Sequence, residues 1–242
     1  MSLFRPPGYS HGDRLEAGGH VVRLSVNARA RRISLRVDRT RREVVATAPS
    51  ARRLSDAVAF ARERIGWIDA QMAELPAPQA IRPGMSLELF GETLRLTAGP
   101  GRARLDLAAG ELRAPDDAAY ADRVLRLIRT EARRRLGEMT ARYAALAGAP
   151  APSVAVADPK GRWGSCSPAR PGRPASIRYS WRLALAPLAV AEYVAAHECA
   201  HLIEANHGPG FWALVDRIFG SPEPGRRWLR EHGAGLHAFG RG

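Results

Sequence analysis

The stretch His197-Glu198-Cys199-Ala200-His201 decides how this sequence folds and what it does. In an α-helix, residues four positions apart lie on one face, so His197 and His201 can present their imidazole nitrogens to a single metal ion. Glu198 lies one position further round the helix, where its carboxylate can take a proton from a water molecule at that ion. The segment therefore predicts a zinc-binding helix that carries the residues of a hydrolase.

A catalytic zinc ion needs a third protein ligand, and the sequence offers two candidates. His207 follows the second histidine by six residues and reaches the metal only if the helix ends between them. Asn206 tolerates a left-handed conformation and Gly208-Pro209 blocks helix continuation, so we predict a helix from Pro187 to about Glu204. Glu204 itself is the alternative ligand, because helical carboxylates bind zinc in other proteins. We favour His207, since imidazole suits zinc and the predicted turn leads towards it.

Composition and length exclude several other classes of protein. The chain has 242 residues, of which 45% are apolar, enough for one large domain or two small ones. No apolar run reaches the roughly twenty residues of a membrane span, because even the closest candidate, 183–203, is interrupted by charged and histidine residues. The N-terminus shows no secretory signal pattern, and Cys166 and Cys199 are too few for a disulfide framework. We therefore expect a cytoplasmic protein without membrane partners.

The net charge of +13 comes almost wholly from arginine, since Lys160 is the only lysine. Residues 1–53 hold twelve arginines against four acidic residues, a net charge of +8. Such an excess can attract nucleic acid or nucleotide phosphate, but no binding motif accompanies it. We predict weak, non-specific nucleic-acid binding at most, through a patch formed by Arg31, Arg32, Arg36, Arg41 and Arg42.

Hydrophobic periodicity predicts an α+β protein. Apolar and polar residues alternate around Ile33, which predicts a β-hairpin, and Ser55 begins a helix with apolar residues at helical spacing. A long amphipathic helix is predicted from Asp116 or Asp117 and ends at Gly148. Strands are then predicted at 153–157, 162–167 and 176–185. The predicted domains are a loose N-terminal arm at 1–20, a β-rich region with one helix at 21–115, and a metallohydrolase domain at 116–242.

Several motifs together resemble a known family. Besides the histidine-bearing helix, the chain contains Arg162-Trp163-Gly164-Ser165-Cys166-Ser167, Asn206-His207 and Phe211-Trp212. Over about 25–235 the sequence resembles the YgjP-like metal-dependent hydrolases, zincins related to the SprT and WLM metallopeptidases. The resemblance implies a zincin-like unit with zinc ligands at His197, His201 and His207, and with Glu198 as the acid/base residue. Cys199 stands where the family more usually has leucine, and we predict a small buried thiol that is not a ligand.

The run 162–167 contains candidate substrate-binding residues, because zincins commonly pair an extended substrate with a strand beside the active helix. Arg162 is a candidate for binding an acidic substrate group or an oxyanion, and Trp163 is a candidate for lining the cleft. The alternative is that Trp163 only packs beneath the active helix. We interpret His232 and His237 as surface residues of the closing helix and not as further ligands.

The leading functional hypothesis is a zinc-dependent hydrolase, most plausibly a metallopeptidase acting on peptides or proteins, with Glu198 as general base. One alternative is a metal-dependent nucleoside triphosphate pyrophosphohydrolase, which the arginine excess would suit. A second alternative is a nucleic-acid-associated protein whose metal site is structural. Three histidines without an obvious fourth protein ligand argue against a closed structural site.

Overall fold

The structure, a computed structural model, describes residues 8–240 and divides into two compact units, Met1–Pro76 and Ala77–Gly242. The boundary at Pro76 corrects the predicted boundary at residue 115. The strands that follow Pro76 do not form a separate β-rich region, because their apolar side chains share one core with the C-terminal helices. Leu94 and Leu112 from these strands are fully buried in that core.

The first unit is a four-stranded sheet covered by two helices. Its strands lie in the order β1-β2-β4-β3, with β2 and β4 parallel and the two outer pairs antiparallel. Leu24, Val44, Leu54 and Ile68 from the sheet and the helices are fully buried between them. The elements are β1 (Arg14–Ala17), β2 (His20–Val26), β3 (Ser34–Asp38), β4 (Glu43–Ala48), α1 (Leu54–Glu63) and α2 (Ile65–Ala73).

Strand β1 corrects the prediction of a loose arm over 1–20, of which 1–7 lie outside the described residues. Leu15 and Ala17 of this strand alternate with charged residues and pack against the core of the unit, but a run of four residues is too short for the alternation to reveal a strand. Arg14 of β1 and Arg23 of β2 both donate to the buried carboxylate of Glu43, at 3.1 and 2.7 Å. Gly18 turns the chain between the two strands at φ +60°, and a side chain there would collide with Ile65.

The single helix predicted from Ser55 is two helices. The chain leaves helical geometry at Arg64, where φ is −106° and ψ is 23°. Gly66 follows two residues later and lowers the helix propensity of this segment. The predicted hairpin is confirmed, since β3 and β4 pair antiparallel from Ser34 opposite Thr47.

The second unit begins with a sheet ordered β5-β6-β8-β7 and the long helix α3. Helix α3 carries the predicted apolar stripe, and it ends where Gly148 adopts the left-handed conformation at φ 78°. Tyr120, Ile128 and Leu136 of that stripe are buried, whereas Leu146 at its end is exposed. The elements are β5 (Ser86–Leu89), β6 (Glu92–Ala98), β7 (Arg104–Asp106), β8 (Glu111–Ala114) and α3 (Tyr120–Ala147).

A second, three-stranded sheet and three helices complete this unit. The sheet is ordered β10-β11-β9, so β10 is an edge strand, and β11 runs parallel to β9. The strand predicted to reach Leu185 ends at Ser180, because Trp181–Leu185 turn into a short 3-10 helix that buries Trp181 and Leu183. The elements are β9 (Ser153–Ala157), β10 (Gly164–Ser167), β11 (Ser176–Ser180), α4 (Leu188–Ala200), α5 (Pro209–Ile218) and α6 (Glu223–Ala238).

The predicted α+β class, with β-rich N-terminal sequence followed by a zincin-like helical unit, is confirmed. Helix α4 is apolar on nearly all sides and packs against α3, α5, α6 and β10. This central position is what fixes the histidine-bearing end of the helix. Within 8–240, no helix combines the length and the apolar character needed to cross a bilayer.

Candidate metal centre

Three histidine side chains meet at the end of helix α4. The Nε2 atom of His207 lies 3.1 Å from Nε2 of His201 and 3.1 Å from Nε2 of His197. Their ligand atoms all lie within 4.8 Å of one another, and these three residues form the only such group of potential ligands within 8–240. The structure thus brings together the three residues that the sequence proposed as metal ligands.

The turn after α4 is what returns His207 to the helix. Regular helix ends at Ala200, four residues before the predicted end, although the backbone N–H of Glu204 still donates to the Ala200 carbonyl at 2.9 Å. Asn206, which tolerates a left-handed conformation, does not adopt one. Instead Gly208 is extended, with ψ −176°, and Pro209 opens helix α5 at a first-turn position, where its missing N–H costs nothing.

The arrangement of nitrogens fits a metal ion. Nδ1 of His201 lies 3.0 Å from the Glu204 carbonyl oxygen and donates to it, so Nε2 of the neutral ring carries a lone pair. Without a cation, a single proton on His207 Nε2 would have to form both short hydrogen bonds, one to His197 and one to His201. A cation instead accepts all three lone pairs, and nitrogens bound to tetrahedral zinc lie about 3.3–3.4 Å apart. The observed separations are close to that value.

The protein environment favours the neutral form of His197 and His201. Burial lowers the pKa of His197 to about 4, with smaller contributions from His201, His207 and Arg226. Burial also lowers the pKa of His201, against the hydrogen bond to Glu204, which raises it. A histidine must be unprotonated to bind a metal. The site is therefore prepared for a cation at neutral pH.

Two aromatic residues that sequence reasoning did not assign a role support the histidines. The Phe211 ring is fully buried, and its centroid lies 4.5–4.9 Å from the ring centroids of all three histidines. The Trp212 ring stacks on His207 at 5.8 Å. Both come from the first turn of α5. Their position four and five residues after His207 was the signal in the sequence from which their role could have been predicted. They hold His207, the ligand that follows the turn after α4.

Glu198 points from α4 towards strand β10. Its side chain is buried, and burial raises its pKa to about 7, although the nearby Arg162 and a hydrogen bond from the Cys166 backbone N–H both lower it. That hydrogen bond places the carboxylate against the outer edge of β10. A carboxylate with this pKa can accept a proton and release it again near neutral pH.

Gly164 makes room for this carboxylate. A Cβ atom at Gly164 would lie 2.5 Å from Oε1 and 2.6 Å from Cγ of Glu198. Strand β10 thus touches the Glu198 side chain with its bare backbone. The sequence run 162–167 contained this residue, but nothing in the sequence indicated which side chain it would accommodate.

The remaining candidates divide between the metal site and the packing around it. Arg162 is exposed and close enough to Glu198 to lower its pKa. Trp163 packs against α6, because its ring stacks on His237 at 5.0 Å and lies against Gly233. Its position favours the packing role.

Glu204, the alternative ligand, lies elsewhere. Its carboxylate approaches Gly210 in the first turn of α5, where the helix dipole favours a negative charge, and it is not a member of the histidine cluster. Cys199 is fully buried and its thiol is directed at the Thr140 carbonyl at 3.5 Å, as predicted for a thiol that is no ligand. His237 corrects the prediction of a surface residue, because it is buried against Trp163.

A family model described as YgjP-like, metallopeptidase domain, matches residues 31–232, a range that includes part of each unit and the whole histidine cluster. Neither the curated proteins nor the solved structures contain a match to this chain.

Proposed function

The chain belongs to the YgjP-like metallopeptidase family, and from this premise we propose that it is a zinc-dependent peptidase. In this proposal His197, His201 and His207 hold the ion and Glu198 is the general base. One observation carries it: Nε2 of His207 lies 3.1 Å from Nε2 of both His197 and His201, beside a buried carboxylate with a raised pKa. No fourth histidine, cysteine or carboxylate within 8–240 joins the cluster, which favours an open catalytic site over a closed structural one.

The residues of the chain have separate tasks in this reaction. A bound zinc ion supplies Lewis acidity, which makes a water molecule more acidic and the scissile carbonyl more electrophilic. Glu198 takes a proton from the attacking water and returns it to the leaving amine, for which a pKa near 7 is suited. Arg162, exposed beside that carboxylate, is placed to bind a negatively charged group of the substrate.

A peptide is the substrate that strand β10 suits best. Its outer edge lies beside Glu198, since the Cys166 N–H reaches that carboxylate, and among the strands of residues 8–240 β10 pairs only with β11. An extended peptide can add to such an edge through main-chain hydrogen bonds. We propose that this pairing presents the scissile bond to the metal centre. The unpaired thiols of Cys166 and Cys199 suit a reducing compartment, so we propose the cytoplasm as its place of action.

The experiment that tests the proposed function uses zinc-loaded protein with an unfolded protein and nucleoside triphosphates as alternative substrates. We expect cleavage of the unfolded protein and loss of that cleavage in Glu198→Gln, by about a hundred- to ten-thousand-fold, with zinc retained. Glutamine keeps the shape of the side chain but cannot carry the proton. The matched control is Glu192→Gln on the same helix, which breaks only a half-exposed pair with Arg142.

Two results would overturn the proposal. Hydrolysis of nucleoside triphosphates without peptide cleavage would assign the site to phosphoanhydride chemistry. Wild-type turnover in zinc-bound Glu198→Gln would remove the carboxylate from the mechanism.

A further inference from the structure

The first unit contains a groove that lies outside the metal centre and has a volume of about 400 Å³. One wall is the start of strand β3 with the residue before it, Ile33 and Leu35 among them. The other wall consists of Phe60 from α1 and Trp67 from α2, and the Trp67 side chain is 41% exposed. A large aromatic ring exposed beside apolar residues is typical of a binding surface.

The strand that borders this groove is an edge of its sheet. Strand β3 pairs with β4 alone, so one side of its five residues has no partner strand among the described residues. An edge strand next to a groove under a helix is the geometry in which extended peptides bind by adding a strand. The backbone groups then supply affinity, while the groove selects a side chain.

Positive charge surrounds the groove. Arg32 and Arg64 line it, and no carboxylate does. Neither of them forms an ion pair within 8–240, and the same holds for Arg36 on the exposed face of β3. Other arginines of this unit do have acidic partners, for example Arg23 with Glu43 at 2.7 Å. Arg32 and Arg64 therefore leave their charge uncompensated at the apolar groove, although other arginines of this unit within 8–240, Arg52 among them, also form no ion pair.

We propose that this groove binds an extended acidic peptide segment as an additional strand on β3. An apolar or aromatic side chain of the peptide occupies the space between Phe60 and Trp67, and its neighbouring carboxylates lie against Arg32 and Arg64. The Arg64 guanidinium already lies 5.4 Å from the centre of the Phe60 ring, so it is held at the rim of the groove. This docking site goes beyond the proposed function and does not depend on the metal centre.

A peptide segment bound in this groove recruits the polypeptide that carries it. A segment bound to the first unit is tethered to the same molecule as the metal centre, so the rest of that polypeptide reaches the metal centre at a raised effective concentration. Exposed tryptophan and arginine also suit single-stranded nucleic acid. The unpaired strand edge favours a peptide, because bases stack on rings and do not need a backbone partner.

The test measures the binding of a fluorescein-labelled peptide with a central phenylalanine between glutamates to the full-length protein, by anisotropy. Trp67→Ala and Arg64→Glu should each weaken binding about tenfold, the effect expected for removing an interface anchor. The matched control is Arg52→Glu, an exposed arginine of the same unit outside the groove, which should change affinity far less. A peptide with lysines in place of glutamates should bind Arg64→Glu better than wild type, which also shows that this variant is folded.

Main-chain pairing is tested on the peptide, where no folding defect can interfere. N-methylation of alternate peptide nitrogens should abolish binding in one register and spare it in the other. Equal binding of all methylated peptides would overturn strand addition, and an equal loss in Arg52→Glu would reduce the effect to general charge attraction. Displacement of the peptide by a single-stranded oligonucleotide at lower concentration than by unlabelled peptide would assign the groove to nucleic acid. Since the assay needs no turnover, its failure is distinct from failure of the proposed peptidase activity.

Discussion

Gly164 and Glu198 are in direct contact, backbone against carboxylate. The Cβ that glycine lacks would lie 2.5 Å from Oε1, far inside any permitted contact. Because Glu198 is buried and strand β10 is held by four residues of pairing with β11, neither side has free space into which to move. The position of the carboxylate is therefore determined by the absence of a side chain on the neighbouring strand.

This contact predicts the effect of Gly164→Ala. The added methyl group must displace Glu198, and a displacement of about 1 Å can cost a hundredfold in rate. We expect kcat to fall by about that factor while zinc content is unchanged, since the three atoms nearest to the added Cβ all belong to Glu198 and none to a histidine. Gly161→Ala is the matched control, because a Cβ there meets no atom within 4 Å. Unaltered kcat in Gly164→Ala would mean that the position of the carboxylate does not limit catalysis.

The third ligand gives a second prediction. His207→Ala should lower zinc affinity by orders of magnitude, because it removes a nitrogen that contacts both other imidazoles. Glu204→Ala should change the affinity by less than about tenfold, since it is the Glu204 backbone carbonyl that orients His201, and that carbonyl remains. Competition with a chromogenic chelator measures both. The reverse ranking would make the carboxylate the ligand.

The sequence was sufficient for the elements that show strong periodicity or specific spacing. The histidines four apart required one helical face, and Gly208-Pro209 predicted that this helix ends before His207, so the cluster could be anticipated before its geometry was known. The apolar stripe of α3 and the end of this helix at Gly148 could be predicted from the sequence equally well. These features depend on local geometry, which a sequence specifies directly.

Features that depend on tertiary partners were missed. Strand β1 is held in part by Arg14 and Glu43, whose pairing across 29 residues leaves no local pattern. The domain boundary was misplaced because the strands of Leu94 and Leu112 show the same alternation of apolar and polar residues whether they pack in the core of the first unit or of the second. His237 was assigned to the surface because a histidine in a helix gives no sign that Trp163 will cover it.

The arginine excess yields a third prediction, concerning duplex DNA. Of the five arginines in the predicted patch, Arg41 pairs with Asp38 and Arg42 donates to the Pro76 carbonyl. Arg31, Arg32 and Arg36 then remain for phosphate contacts. The logarithm of the DNA affinity should fall with the logarithm of salt concentration with a slope no steeper than about −3. A steeper slope, measured by anisotropy, would show that a larger surface takes part.

A fourth prediction concerns the ion pair between buried Arg182 and partly exposed Asp158. The Arg182 side chain is 4% exposed, and its Nε donates to Asp158 Oδ1 at 2.7 Å. Its Nη1 donates to the carbonyl oxygens of Leu236 and Phe239, which ties the end of α6 to the loop after β9. Burial raises the pKa of Asp158, but hydrogen bonds from Arg182 and Lys160 outweigh this effect and bring the pKa to about 2.

The sign of the resulting pH dependence follows from that lowered pKa. The pair contributes its full stabilisation above the unfolded-state pKa of about 4, and this is lost as pH falls through the folded-state value of about 2. Asp158→Asn should therefore lower the free energy of unfolding by about 2 kcal/mol at pH 7, and the difference from wild type should narrow below pH 4. Urea titrations of both proteins across this pH range measure the difference. A chelator is present in both titrations, so that protonation of His197 contributes equally to the two free energies of unfolding. Asp216→Asn, an exposed carboxylate of the same unit, should show no such dependence. A difference that stayed constant from pH 7 to pH 2 would mean that packing of the side chain, and not its charge, stabilises the end of α6.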